Sequence, residues 1–420
     1  MSGMTPYLQT NQQRIERDIE HIASLGATGT SADGRTSFTY SLQDLKVRKY
    51  LLDIFEELGL SVFIDGVGNI RARYAGSNPD ASVVMSGSHV DSVRRGGKYD
   101  GVVGVIGALE AIRVMKENNI TPSHPIEVVI FSEEEGSNFG SCCAGSKAMV
   151  GRYTFDDLNT LKNLSGQSMY NLAKNAGYDP DNMSRYVLNK GEVKAMIELH
   201  IEQSPMLHSV SMPIGVVEAI AGLRQIRVEV DGVPNHAGAT PMNFRQDALL
   251  GAAHMISAVE EAVQTKGTES TVGTVGYMES EPNVSNIIPG KVVFSIDIRD
   301  VYQQPMNDVV EEVRKRFDEI AQRYNLTFSM TLLGEQEAVQ LSQEVISSIE
   351  KSAQALGIPY KKMNSGAVHD AVLLCSVAEV GLIFVPSVDG RSHCPEEYTS
   401  YEDIKRGADL LLATLLDLAK

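Results

Sequence analysis

Two short, largely apolar runs, Ser82–Met85 and Ile126–Phe131, each lead straight into polar residues able to do chemistry. Between them Val102, Val105, Ile106, Leu109 and Ile112 recur at the spacing of one helix face. A strand, a helix and a second strand in that order, with both strands mainly apolar, predict an α/β layer architecture with buried strands. Ligand sites in such sheets collect beyond the carboxyl ends of the strands. The first run continues as Ser86-Gly87-Ser88-His89-Val90-Asp91 and the second as Ser132-Glu133-Glu134-Glu135-Gly136. The reactive residues therefore fall where this architecture would put a site.

The 420 residues exceed one ordinary core, so two domains are expected. Near the start, Leu8, Ile15, Ile19, Ile22 and Leu25 have helical spacing; a second helical pattern over 43–58 stops at Gly59. Past Pro213 the texture changes. Gln225–Val230 alternates, a helix is predicted near 246–264, Lys291–Arg299 alternates again, and a charged helix follows at 305–323. This stretch reads as a small sheet with two helices on one face, inserted into the larger domain. Patterns of the first type resume near 340 and close with Ile404, Leu411, Leu412, Leu415 and Leu416. The expected division is 1–212 with 331–420 for the larger domain and 213–330 for the insert. There is no internal repeat and no low-complexity tract.

Thirty-seven Lys and Arg stand against 54 Asp and Glu, a formal charge of −17. No basic cluster suited to nucleic acid or anionic lipid is present. An anionic small substrate would be repelled by such a surface, so a site for one must make positive potential locally, from metals or arginines. The N-terminal segment lacks the apolar core of a signal peptide, and no apolar run is long enough to span a membrane. Cys142, Cys143, Cys375 and Cys394 lack the spacing of a disulfide framework and suit a reducing compartment. A soluble cytoplasmic protein, with neither nucleic acid nor membrane as partner, is the expectation.

Metal chemistry is the reading that uses most of the reactive residues together. Asp91 stands two residues after His89, where a carboxylate can orient a ligating imidazole; a plain loop histidine bonded to a local aspartate has the same sequence. Asp100 precedes Gly101 at a helix start, so it is either an N-cap or a ligand able to bridge two ions. Glu133, Glu134 and Glu135 repel one another if buried, unless metals offset the charge and leave one glutamate as ligand and its neighbour as base. A solvated acidic loop is the alternative. His200, in Glu198-Leu199-His200-Ile201-Glu202-Gln203, ends an apolar run, and His393 lies in the turn-rich Gly390-Arg391-Ser392-His393-Cys394-Pro395. Either histidine alone would be structural; the combination favours imidazole and carboxylate ligation of a metal pair. In the insert, His236 sits on the loop Asp231–Gly238 and Asn286 precedes Ile287-Ile288-Pro289-Gly290. Arg299 falls on the polar face of its strand, either solvated or gripping a substrate carboxylate.

The motifs GSHVDSVRRGGKYDG, EEEGSNF, ELHIEQ, NHAGATPM, NIIPG with DIRD, SGAVHDA and PSVDGRSHCPEE follow in this order from about Arg35 to the C-terminus. With them the chain resembles the metal-dependent aminoacylase/carboxypeptidase superfamily. Within it, HIEQ and NHAGATPM point to the amidase/carbamoylase branch of N-carbamoyl-L-amino acid hydrolases, allantoate amidohydrolases and β-ureidopropionases. The resemblance implies a zinc-peptidase-like α/β catalytic domain, its mixed central sheet flanked by helices, with an inserted α+β lid that forms a homodimer. It implies two divalent ions per subunit (Zn, Mn or Co) held by His89, Asp100, Glu135, His200 and His393, with Asp100 bridging and Glu134 as general base. Gln203, His236, Asn286 and Arg299 would contact substrate, with lid residues reaching the partner subunit's site and His236 stabilising the oxyanion.

The implied reaction is hydrolysis of the carbamoyl (ureido) C–N bond of a small carboxylate, foremost an N-carbamoyl-L-amino acid, to amino acid, ammonia and carbon dioxide. Allantoate is the nearest alternative substrate. A dipeptidase or aminoacylase of the same superfamily is a wider alternative, and a non-catalytic ureide-binding module stands furthest off, since no ligand or base is missing. Departures from the family pattern bear on substrate. Glu133 in EEEGS leans toward allantoate enzymes, while Gly145-Ser146-Lys147-Ala148-Met149 leans toward carbamoylases. Val368 beside His369-Asp370, and Ser204 after HIEQ, replace smaller residues.

Overall fold

The computed structural model describes residues 8–27, 29 and 33–420. It divides into two compact units. The larger is Met1–Glu218 with Leu341–Met363 and His369–Lys420, and the smaller is Ala219–Gln340 with Asn364–Val368.

The central sheet of the larger unit runs in the order Ser61–Ile64, Ile70–Tyr74, Ile126–Phe131, Val83–His89, Val193–Ile201, Glu379–Val385 and Gly215–Ile220. The middle four are parallel, Ile70–Tyr74 and Gly215–Ile220 flank them antiparallel, and Ser61–Ile64 is antiparallel to Ile70–Tyr74, so the sheet is mixed. Every residue of Val83–His89 and Ile126–Phe131 is buried, which is why these strands read as apolar runs rather than alternations. Helix Val102–Glu117 packs on the parallel strands and on the C-terminal helix Tyr401–Leu418. It is buried from Val102 to Met115, the position of a helix enclosed between sheet and helices. Helices Gln12–Gly26 and Leu42–Glu57 begin at Asn11 and Ser41, whose side chains accept from Arg14 and Asp44 N–H, satisfying otherwise orphaned donors.

The expected strands and long helices are present within a few residues of their sequence bounds. A satellite cluster in the larger unit was not foreseen: Tyr40, Phe139, Leu158, Met169 and Met183 pack under short helices between 144 and 186. Turn residues break that stretch into pieces too short to show a period.

The smaller unit is a four-stranded antiparallel sheet in the order Thr327–Gln336, Gly222–Asp231, Lys291–Asp300 and Val272–Glu281. Helices Ala248–Lys266 and Gln303–Tyr324 pack beside one another, and their apolar faces close one core with Ile226, Val228, Val230, Val292, Phe294 and Ile296. Met306, Val309, Val313, Phe317 and Ala321 form the buried stripe of the second helix, and Phe317 meets Phe294 edge-on at 6.0 Å. The outer strands Val272–Glu281 and Thr327–Gln336 are not among the sequence expectations. Both are largely exposed; Val272–Glu281 has no clean alternation, while in Thr327–Gln336 the alternation of Phe328, Met330 and Leu332 with Thr and Ser stops at Leu333. Among the described residues no helix is long and apolar enough to cross a membrane.

Candidate metal centre

His89 ends the strand Val83–His89, the glutamates follow Ile126–Phe131, His200 is the penultimate residue of Val193–Ile201, and His393 lies on the loop after Glu379–Val385. These are the carboxyl ends of four neighbouring parallel strands, the edge at which sites of this architecture form. Asp100 joins them from the turn before helix Val102–Glu117. Gly101, not Asp100, holds the helix-cap position, and no side chain caps there, so both Asp100 oxygens remain for other partners. Gly101 has φ 69°, and a Cβ on it would lie 2.5 Å from the His89 ring. Only glycine lets the turn approach the imidazole so closely.

Two donor groups share Asp100: His89, Asp100 and His200 in one, Asp100, Glu135 and His393 in the other, each with its ligand atoms within 4.8 Å of one another. The two oxygens divide between them. Asp100 Oδ1 lies 3.1 Å from His200 Nε2 and 3.9 Å from His89 Nε2; Oδ2 lies 3.2 Å from His393 Nε2. Glu135 Oε2 is 3.4 Å from the same His393 nitrogen, and Glu134 Oε2 is 3.6 Å from His89 Nε2. Gln203, at φ 59°, donates its amide to Asp100 Oδ2 at 2.9 Å.

The electrostatics follow from burial. It disfavours charge on Asp100, yet hydrogen bonds from His200 and His393 outweigh it and hold this carboxyl well below its usual range. His200 is correspondingly raised to about 9 against its own burial, chiefly by Asp100. Burial, then Asp370 and Glu135, pushes Glu134 well above the usual carboxylate range. Glu135 rises to about 8 from burial and then Asp100. A carboxylate and imidazole set of this density fits divalent cations, whose charge offsets the repulsion among Glu134, Glu135 and Asp100.

Asp91 has a wider part than orienting one imidazole. His89 Nδ1 is 3.3 Å from the Asp91 backbone oxygen and 3.6 Å from Oδ1, while the Asp91 carboxylate accepts from the N–H groups of Glu134 at 3.4 Å and Glu135 at 3.2 Å. One aspartate thus anchors both the histidine and the glutamate pair. Glu133 turns away: its Oε1 accepts from Asn138 and Phe139 N–H at 2.9 and 2.8 Å, closing the acidic loop on itself.

In the smaller unit, the two-residue strand Asn235–His236 pairs with Ile287–Ile288, which puts His236 opposite Ile287 and beside Asn286. His236 Nδ1 accepts from Gly238 and Ala239 N–H at 3.0 and 3.1 Å. A ring nitrogen so occupied carries no proton, leaving Nε2–H as a donor. Arg299 lies on the polar face of its strand with Asp297, whose oxygens are 2.9 and 3.3 Å from Nε and Nη2; Nη1 donates to Gly366 O at 2.8 Å. It lines a groove of about 620 Å³ with Gln225, Thr274 and Asp297.

Sequence reasoning assigned no role to three buried acids. Glu198 accepts from Ser88 Oγ at 2.6 Å and Ala371 N–H at 3.1 Å, and forms a further donor group with His200 and His369. Asp370 and Glu397 are also buried. A carboxylate inside an apolar run, as at Glu198, was the available signal. For Glu397, one of two adjacent glutamates in a turn, there was none.

A profile of the family described as Peptidase family M20/M25/M40 matches residues 85–417. The N-carbamoyl-L-amino acid amidohydrolase of Geobacillus stearothermophilus is 37% identical over 406 residues, 96% of this chain and 98% of that one. The ureidoglycolate hydrolase of Oryza sativa subsp. japonica is 38% identical over 428 residues, covering 99% and 86%. The crystal structure of a hydantoinase/carbamoylase family amidase from Burkholderia multivorans superposes with a TM-score of 0.91 at 32% identity, covering 98% of each chain.

Proposed function

Because this chain belongs to peptidase family M20/M25/M40, we propose that it hydrolyses the carbamoyl C–N bond of an N-carbamoyl-L-amino acid. The observation that carries the reading is Asp100, one carboxylate whose two oxygens serve two separate donor groups with Glu134 alongside. The activity printed for the Geobacillus relative supports the substrate class. His89, Asp100 and His200 would hold one ion, and Asp100, Glu135 and His393 the other. Bound divalent ions supply a water of lowered pKa and Lewis-acid polarisation of the carbonyl.

Glu134 takes the proton of the attacking water and delivers it to the leaving nitrogen. His236 donates Nε2–H to the oxyanion as the carbonyl becomes tetrahedral. Arg299 and Asn286 hold the substrate carboxylate, which sets the distance from that anchor to the scissile bond. The C–N bond to the amino acid breaks, and the released carbamic acid falls apart to ammonia and carbon dioxide. The smaller unit acts as lid and dimer surface, with His236 supplied by the partner subunit.

A second reading keeps the chemistry and exchanges the substrate for a ureide acid, allantoate or ureidoglycolate; the rice relative favours it. Ammonia release measured in parallel on N-carbamoyl-L-methionine, β-ureidopropionate, allantoate and (S)-ureidoglycolate separates the two. The carbamoyl amino acid is expected to give the highest kcat/KM. A preference for either ureide acid would reverse the order of the readings, and inactivity on all four would end both.

A further inference from the structure

Glu397 is buried, and its carboxylate faces the back of the Asp100 turn. Oε1 accepts from the backbone N–H of Tyr99 at 2.9 Å and of Asp100 at 3.1 Å. Oε2 is 2.9 Å from Ser392 Oγ, and the same hydroxyl lies 3.0 Å from Asp100 Oδ2. Glu397 thus grips the backbone of Asp100, and Ser392, with one proton to give, couples the two carboxylates by sharing it between Glu397 Oε2 and the Asp100 oxygen that faces His393. The place is built for it: a Cβ at Gly97 would lie 2.1 Å from Glu397 Oε1, so residue 97 has no room for a side chain.

The two donor groups differ in how much they need such a brace. His89 and His200 stand on buried strands with side chains 2% and 3% exposed, and their rings are held by backbone oxygens. His393 is 52% exposed on a loop and sits at φ 56°. Nothing in a strand fixes its position relative to Asp100. The link through Ser392 and Glu397 does, together with Gln203 Nε2, which is 2.9 Å from Asp100 Oδ2 and 3.3 Å from Ser392 Oγ.

We propose that Glu397 is a positioning residue that holds Asp100 and the His393 loop in the geometry required by the second ion, the one facing Glu135 and His393. The inference rests on the two-ion reading above. Removing the brace lets the Asp100 carboxylate turn and the loop drift, which weakens the second ion and spares the first. Gln at 397 keeps the oxygen that caps Tyr99 and Asp100, and its amide donates to Ser392 Oγ, freeing that hydroxyl to bond Asp100.

The test is calorimetric titration of chelator-stripped full-length protein with ZnCl₂. Glu397→Ala is expected to retain the tight ion and to bind the second about 10- to 100-fold more weakly, the range usual when a partner of a metal ligand is lost. Glu397→Gln is expected to bind both within about threefold of wild type, whereas Glu397→Leu, which fills the space without an acceptor oxygen, is expected to bind the second ion as weakly as Ala. Should Glu397→Ala fail to fold by circular dichroism, Ser392→Ala and Gly97→Ala carry the same measurement, one cutting the link and the other displacing the carboxylate. Two ions bound with unchanged affinity in the folded alanine variants defeat the inference, as does a Gln variant as weak as Ala. Wild-type protein that takes up fewer than two ions defeats the two-ion reading itself, and the inference with it.

Discussion

His89 and His200 stand at the ends of buried strands with Asp100 between them, 3.9 and 3.1 Å away, and all three are nearly excluded from solvent. His236 and Asn286 are exposed on a two-residue strand pairing, and Arg299 lies half-buried on an open sheet face with Asp297 as its counter-ion. The first region is assembled before any substrate arrives. Its charges are already desolvated and placed, so they cost no reorganisation in the reaction. The second keeps its polar groups in water, where each is worth little until a ligand excludes solvent around it. Substitutions in the first region should therefore act on metal and chemistry, and those in the second on substrate binding, with little effect on stability.

The contrast is open to attack from four directions. Exhaustive chelation should abolish activity and added divalent metal should restore it; turnover that persists at metal content near zero, checked by elemental analysis, would remove the premise that the buried cluster is a metal centre. Glu134→Gln should keep both ions while kcat falls by about two to four orders of magnitude, as general-base loss usually gives. Glu135→Gln should instead weaken one ion, and metal contents in the reverse pattern would exchange the two roles.

Arg299→Ala should weaken carboxylate substrates by about 1.5–3 kcal/mol, the scale of a hydrogen bond to a charged group, and leave the melting temperature unchanged. An amide-capped analogue should bind wild type and variant alike. Equal kinetics on carboxylate substrates would move the anchor elsewhere. The smallest effect is the most diagnostic. Mixing inactive Glu134→Gln subunits with inactive His236→Ala subunits should restore up to roughly a quarter of wild-type activity, because about half of randomly paired dimers are mixed and each has one intact site. Differently tagged subunits must be seen to exchange; mixed dimers that stay silent would make His236 a residue of its own subunit's site.

Much of the buried region was legible. His89, Asp100, Glu134, Glu135, His200 and His393 all stand out because each follows an apolar run or occupies a glycine-marked turn, and the structure gathers them at one sheet edge. Asp91 was legible only as the partner of His89, because its bonds to Glu134 and Glu135 N–H reach 43 and 44 positions along the chain. Glu133 reads in sequence as part of the acidic group bearing on substrate, whereas its carboxylate folds back to cap its own loop. Asp297 could be placed on the polar face with Arg299 by strand alternation alone. That it faces the guanidinium had to come from side-chain geometry.

By itself the sequence determined the local periods: the buried strands and long helices, which of their faces are apolar, and hence the sheet edge at which imidazoles and carboxylates meet. Those properties depend on neighbours a few residues away, and hydrophobic spacing records them directly. Only the tertiary structure decided how the oxygens of Asp100 are divided and what holds them so. Its partners His200 and His393 come from a distant strand and a distant loop, and Glu397, which grips the turn at Tyr99 from 298 positions away, enters through a loop with no period to read. A carboxylate turns toward whichever donors packing leaves within reach, and which donors those are is a property of the folded chain.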